Sequence, residues 1–95
     1  MEYANNQLGV IANVTGRVQG VGFRYYTQLE ANKLGLSGTV QNLSDGSVSL
    51  KAYGTPESVK SLIAWCKQGP ESSDVQSLEF QFIRYVDMEG FVIVR

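Results

Sequence analysis

The run Gly16-Arg17-Val18-Gln19-Gly20-Val21-Gly22-Phe23-Arg24 places three glycines within seven positions and closes on an arginine. Glycine admits positive φ and lets backbone amides approach a ligand with no Cβ between them. A loop of this kind entering a helix exposes the unpaired N–H groups of the first turn, backed by the positive end of the helix dipole. Together these features make an anion site, to which Arg24 adds a planar fork suited to phosphate oxygens. The exposed dipole contributes about 0.3–1 kcal/mol, against roughly 1.5–3 kcal/mol for each charge-assisted hydrogen bond. Arg24 would therefore set affinity and the loop would set geometry. The run is neither G-x-G-x-x-G nor a Walker loop, since no Gly-Lys-Ser/Thr follows, so nucleotide binding of those kinds is unsupported. The same residues also fit a tight strand-to-helix connection with Arg24 solvated, and the loop alone does not choose between the two.

Composition narrows the chemistry further. The chain has no histidine, which removes Ser–His and Cys–His catalytic pairs and imidazole metal ligands. Catalysis would have to rest on positioning, backbone dipoles, an arginine or carboxylates. Net charge is −1 and the eight basic residues are scattered, a poor footprint for nucleic acid, whose binding needs grouped cations. The one cysteine, Cys66, cannot form an internal disulfide, and a reducing compartment is the expectation. No apolar run approaches the roughly 18 residues of a membrane helix. No basic-then-apolar leader opens the chain, and the expected location is the cytoplasm. At 95 residues, one domain over 1–95 is expected, because two cores would not fit.

The elements that must hold these residues can be read in order. Val10, Ala12 and Val14 alternate with Ile11, Asn13 and Thr15 in a strand ending at Gly16. Helical composition spans Phe23 to Leu34, with Gly35 as a stop and Phe23, Tyr26, Ala31 and Leu34 as its apolar side. Leu36 to Leu43 and Ser47 to Tyr53 read as strands joined at Ser44-Asp45-Gly46. Thr55-Pro56-Glu57 starts a second helix whose Val59, Leu62, Ile63 and Cys66 keep helical spacing, and Gly69-Pro70 ends it. Beyond a polar loop through Asp74, the alternation of Leu78, Phe80 and Phe82 predicts a strand with core-facing aromatics. Phe91 to Val94 gives a short last strand after a turn near Glu89-Gly90. Tyr26 is assigned to the core, while Tyr25 and Trp65 fit core or rim.

The resulting β-α-β-β-α-β-β order predicts an α+β, ferredoxin-like βαββαβ sandwich. Its antiparallel sheet would carry two helices on one face and a short extra C-terminal strand. In that topology the loop after the first strand and the end of the second reach the same sheet edge. Asn42 shares the parity of Val40, so without a bulge it points toward the helix-covered face. Taken alone, an asparagine before a turn has a commoner explanation in local backbone bonding. Asp45 and Gly46 are better read as turn residues.

Together these segments resemble the acylphosphatase family. Gly16 to Arg24 matches the family's G-x-V-Q-G-V-x-F-R run, and Gly38 to Val48 matches its G-x-V-x-N-x-x-D-G-x-V pattern, with Gly54 after it. The likeness covers nearly the whole chain. Ser49 departs from the acidic residue many members carry there, on the polar face of its strand. The resemblance implies hydrolysis of the carboxyl–phosphate bond of acyl phosphates by water attack on phosphorus, without metal or cofactor. It implies that Arg24 binds the phosphoryl group with loop amides from Gln19, Gly20, Val21, Gly22 and Phe23 to Arg24 itself, and that Asn42 orients the water. A monomer acting on a small acyl phosphate is expected. One alternative is a non-catalytic phosphate-binding regulatory module of the same fold, since such domains also occur inside larger proteins. Another is an RNA-binding sandwich, which would need exposed sheet aromatics and a basic surface.

Overall fold

The computed structural model describes residues 6–95, and the strand β1 (Leu8–Arg17) organises it. Alternation along β1 buries Val10, Ala12 and Val14 completely or nearly so. The remaining elements are α1 (Phe23–Lys33), β2 (Ser37–Asn42), β3 (Val48–Gly54), α2 (Pro56–Gln68), β4 (Asp74–Ile83) and β5 (Phe91–Val94). This is the element order expected from the sequence, and the fold is the ferredoxin-like sandwich.

The strands form one sheet in the order β4-β1-β3-β2-β5. β1 pairs antiparallel with both β3 and β4, and β2 pairs antiparallel with β3. β5 pairs parallel with β2, so the sheet is mixed and not antiparallel throughout. Because β1, β2 and β5 all run the same way, their C-terminal ends share one edge. β4 begins as early as Asp74 because it follows β1 down to Arg17, past an irregularity at Thr15/Gly16.

Both helices pack on the face that carries Val10, Ala12, Val14, Val40, Val48 and Leu50. α2 supplies the inward stripe of Val59, Leu62, Ile63 and Cys66 that its spacing predicts. α1 differs from expectation. Its buried residues are Phe23, Thr27 and Ala31, and Tyr26 is 44% exposed. An inward stripe at i, i+4 and i+8 puts Tyr26 on the flank. Thr27 tolerates burial because its hydroxyl donates to the Phe23 carbonyl at 2.7 Å. Trp65 is half-buried against Phe23, with ring centroids 5.8 Å apart.

The aromatics of β4 are a second correction. Phe80 and Phe82 pair with Ala12 and Val10, so they do lie on the helix side of the sheet. They remain 43% and 42% exposed because β4 is an edge strand that the helices only partly cover. The opposite face carries Asn13, Gln41, Ser49, Lys51, Glu79 and Gln81 in register, interspersed with Ile11, Tyr53 and the exposed Val92.

Candidate active site

The β1–α1 loop is built so that its amides stay free. Gly20 and Gly22 have φ of 75° and 81°, a left-handed region that costs glycine nothing. Gly22 is the N-cap of α1 and has no side chain to close the helix end, and the first turn holds no acidic residue. Among the described residues, no backbone N–H from Gln19 to Tyr25 has an acceptor. Such a row of donors at the positive end of a helix favours an anion.

Arg24 follows one residue into α1, whose start is anchored by the fully buried Phe23. Its Nη1 donates to the Val94 carbonyl of β5 at 3.4 Å, a long contact that aims the half-buried guanidinium across the sheet edge. Gln28 ties the same helix to β5 through a 2.8 Å bond from Nε2 to the Phe91 carbonyl. The parallel seating of β5 on β2 thus fixes where the arginine reaches.

Asn42 closes β2 opposite Val48, with an uninterrupted register from Ser37 onward. No bulge intervenes, and its side chain is on the helix side as its parity requires. The amide oxygen Oδ1 is buried and has no hydrogen-bond partner. A buried carbonyl oxygen without a donor is costly unless something else supplies one.

These pieces surround a cavity of about 240 Å³. Gly20, Gly22, Phe23, Arg24 and Asn42 line it, so most of the residues singled out from the sequence are brought together. Gln19 and Val21 are not part of its wall. The Gln19 side chain turns away, and its Nε2 donates to the Leu43 and Ser47 carbonyls at 2.7 and 2.8 Å. It fastens the loop to the β2–β3 turn. That turn is itself held by Asp45, whose Oδ1 accepts from the Ser47 N–H at 2.9 Å and its hydroxyl at 2.6 Å. Those two bonds, the hydroxyl's first, hold the Asp45 carboxyl below its usual range.

Sequence reasoning missed the far wall, which includes Tyr25, Ile93 and Arg95. The terminal apolar run was visible, but nothing local says that it pairs parallel with β2 and ends beside Asn42. The lining residues include two arginines, Arg24 and Arg95, and no aspartate or glutamate.

Comparison with known proteins agrees with this geometry. The family model described as Acylphosphatase matches residues 10–93. An acylphosphatase of Photobacterium profundum is 43% identical over 88 residues, covering 93% of this chain and 98% of that protein. One from Thermococcus kodakarensis is 46% identical over 81 residues, covering 85% of this chain and 89% of that protein. The solved acylphosphatase of Coxiella burnetii superposes with a TM-score of 0.90 at 35% identity, covering 94% of each chain. With both motifs folded around one cavity and the likeness running end to end, the chain belongs to the acylphosphatase family.

Proposed function

We propose that Arg24 and the loop amides hold the phosphoryl group of an acyl phosphate while Asn42 positions the water that attacks it. The observation that carries this reading is the convergence on one cavity of Asn42, Arg24 and a row of unpaired loop N–H groups. Phosphate oxygens satisfy the N–H groups and the arginine fork. A water donating to Oδ1 satisfies the asparagine and has its lone pair free for phosphorus.

The remaining steps need little more from the protein. The leaving group is a carboxylate, whose conjugate acid has a pKa of about 4, so it departs without a proton. Charge in the loose, in-line transition state sits on the equatorial oxygens, where fixed donors stabilise it. A phosphate oxygen takes the proton of the attacking water, so no histidine or carboxylate base enters. The reaction converts R–CO–O–PO₃ and water to a carboxylate and inorganic phosphate, with no metal or cofactor required.

The chain works as one acylphosphatase-like domain over residues 1–95, as a cytoplasmic monomer with a small-molecule substrate. No helix among the described residues is long and apolar enough to cross a membrane. A net charge of −1 with scattered cations gives a phosphate backbone little to pair with.

The test uses benzoyl phosphate in the presence of EDTA. Arg24→Ala loses kcat/KM by roughly 10²–10⁴-fold and loses competitive inhibition by phosphate, as removal of one or two charged hydrogen bonds requires. Asn42→Ala loses turnover by roughly 10²–10³-fold, the usual cost of one transition-state contact, and keeps its affinity for phosphate. Retained activity in either variant, or an equal loss of phosphate affinity in both, would overturn this division of roles.

A further inference from the structure

Ser72 belongs to neither family motif and lies in the connection between α2 and β4. Its Oγ nevertheless donates to the Val21 carbonyl at 2.7 Å, across a separation of 51 residues. Among the described residues this is the Val21 oxygen's one hydrogen-bond partner. The donor is well placed to hold it. Gly69 N–H bonds the Trp65 carbonyl at 2.8 Å, and Ser73 binds the Pro70 carbonyl through both its N–H and its hydroxyl, at 2.9 and 2.7 Å. Ser72 therefore projects from a locked turn.

The peptide unit it grips is a sensitive one. The described chain has no cis peptide bond, so the Val21 C=O and the Gly22 N–H lie in one plane and point in opposite directions. Gly22 lines the anion cavity, whereas Val21 does not. Holding the carbonyl toward Ser72 turns the Gly22 N–H toward the cavity. The opposite orientation would aim a carbonyl lone pair at a bound dianion. Sterics do little to prevent that rotation, because Gly22 at φ 81° has no Cβ to oppose it. Phe23 fixes one side of the loop by burial and Gln19 the other by its two bonds to the β2–β3 turn. The peptide between them is held by Ser72.

We propose that Ser72 is a positioning residue for the anion loop: its hydroxyl pins the Val21 carbonyl outward and thereby commits the Gly22 N–H to the phosphate. This rests on the reading of the loop as the phosphate site. It adds a contact from a connection none of whose residues lines the cavity, and it ties the α2–β4 turn to catalysis.

The experiment compares Ser72→Ala, Ser72→Thr and Arg24→Ala with the unmodified chain. It measures inhibition of benzoyl phosphate hydrolysis by inorganic phosphate, the thermal midpoint, and the Gly22 amide signal in a phosphate titration. Ser72→Ala is expected to weaken phosphate inhibition by about threefold to tenfold, the worth of one neutral hydrogen bond. Its thermal midpoint stays near that of the unmodified chain, since the lost bond is exposed. The phosphate-induced shift of the Gly22 amide shrinks, and Ser72→Thr, which keeps the hydroxyl, restores both readouts. A Ser72→Ala protein with unchanged phosphate inhibition and an unchanged Gly22 shift would overturn the inference. If Arg24→Ala meanwhile loses phosphate inhibition, the phosphate site itself stands and only the role of Ser72 falls. Should Arg24→Ala also retain inhibition, the underlying site assignment is what fails.

Discussion

Helix α2 begins at Thr55, whose Oγ1 accepts from the Ser58 N–H at 3.2 Å, and continues through Pro56 and Glu57. Each residue answers a need of the helix end: a capping acceptor, a first-turn residue without an N–H, and a negative charge beside the dipole. Helix α1 begins at Gly22 with none of these. Both helices lie on the same face of the same sheet, so the contrast is not one of burial or location in the fold. α2 spends its terminal donors on itself and gains stability. α1 leaves its donors open, and its start is held from outside by the buried Phe23, by Gln19 and by Ser72. If the proposed site is right, the difference is the device that makes it: the cap is omitted and the loop is supported from elsewhere.

The strongest way to break this contrast is to give α1 a charged cap. Aspartate and asparagine are the side chains that most readily enter the left-handed region Gly22 occupies, at a strain the two share, and a Cβ there would meet the Tyr26 ring at 3.3 Å. Gly22→Asp should lose roughly 10²-fold or more in kcat/KM, because a carboxylate at the donors both competes with and repels the substrate. Gly22→Asn, of nearly the same shape and without charge, should lose much less. Equal phosphate affinity in the two variants would show that the open terminus is not the anion site.

A smaller effect tests how closed α2 is on its inner side. Burial pushes the Cys66 thiol up to about 12 from an ordinary 9.0, and the charge of Glu30 adds to the rise. The unfolded chain therefore releases the proton first. Above pH ~9 it binds fewer protons than the folded chain, and stability falls as pH rises toward ~12. Below ~9 the contribution is complete. The urea midpoint should accordingly drop between about pH 8 and pH 11, and the gap between the unmodified chain and Cys66→Ala should narrow over that range. A gap independent of pH would contradict the burial of this thiol.

The smallest effect comes from removing the cap that α2 does have. Thr55→Ala should cost about 1 kcal/mol of stability and leave kcat/KM within about twofold, since its donors face solvent and not the cavity. A large loss of activity in Thr55→Ala would mean that the two termini are less independent than their structures indicate.

What could be read from the chain beforehand follows the same division. α2 was legible to its ends because cap, proline, acidic residue and inward stripe all lie within the helix. α1 was legible as a helix but not in its facing, because its buried Thr27 is polar by type and made acceptable only by a bond to the Phe23 carbonyl. Phe80 and Phe82 were placed on the correct side of the sheet, yet their exposure depends on how far α2 reaches over an edge strand. Gln19 stood within the loop motif, but its two bonds to the β2–β3 turn could not be inferred from the motif.

The order of elements and the glycine-rich connection could be read from the sequence alone, because each depends on short-range spacing and on the chemistry of single residues. Arg24 and Asn42, by contrast, became site candidates through the resemblance of two whole motifs to a family. Only the tertiary structure decided that β5 runs parallel to β2 and brings Ile93 and Arg95 to the cavity. It alone placed Ser72 against Val21, and it alone left the Asn42 oxygen buried without a donor. Those facts arise from contacts between segments far apart in the chain, and such contacts are chosen by the packing of the whole sheet against its helices, not by any local pattern.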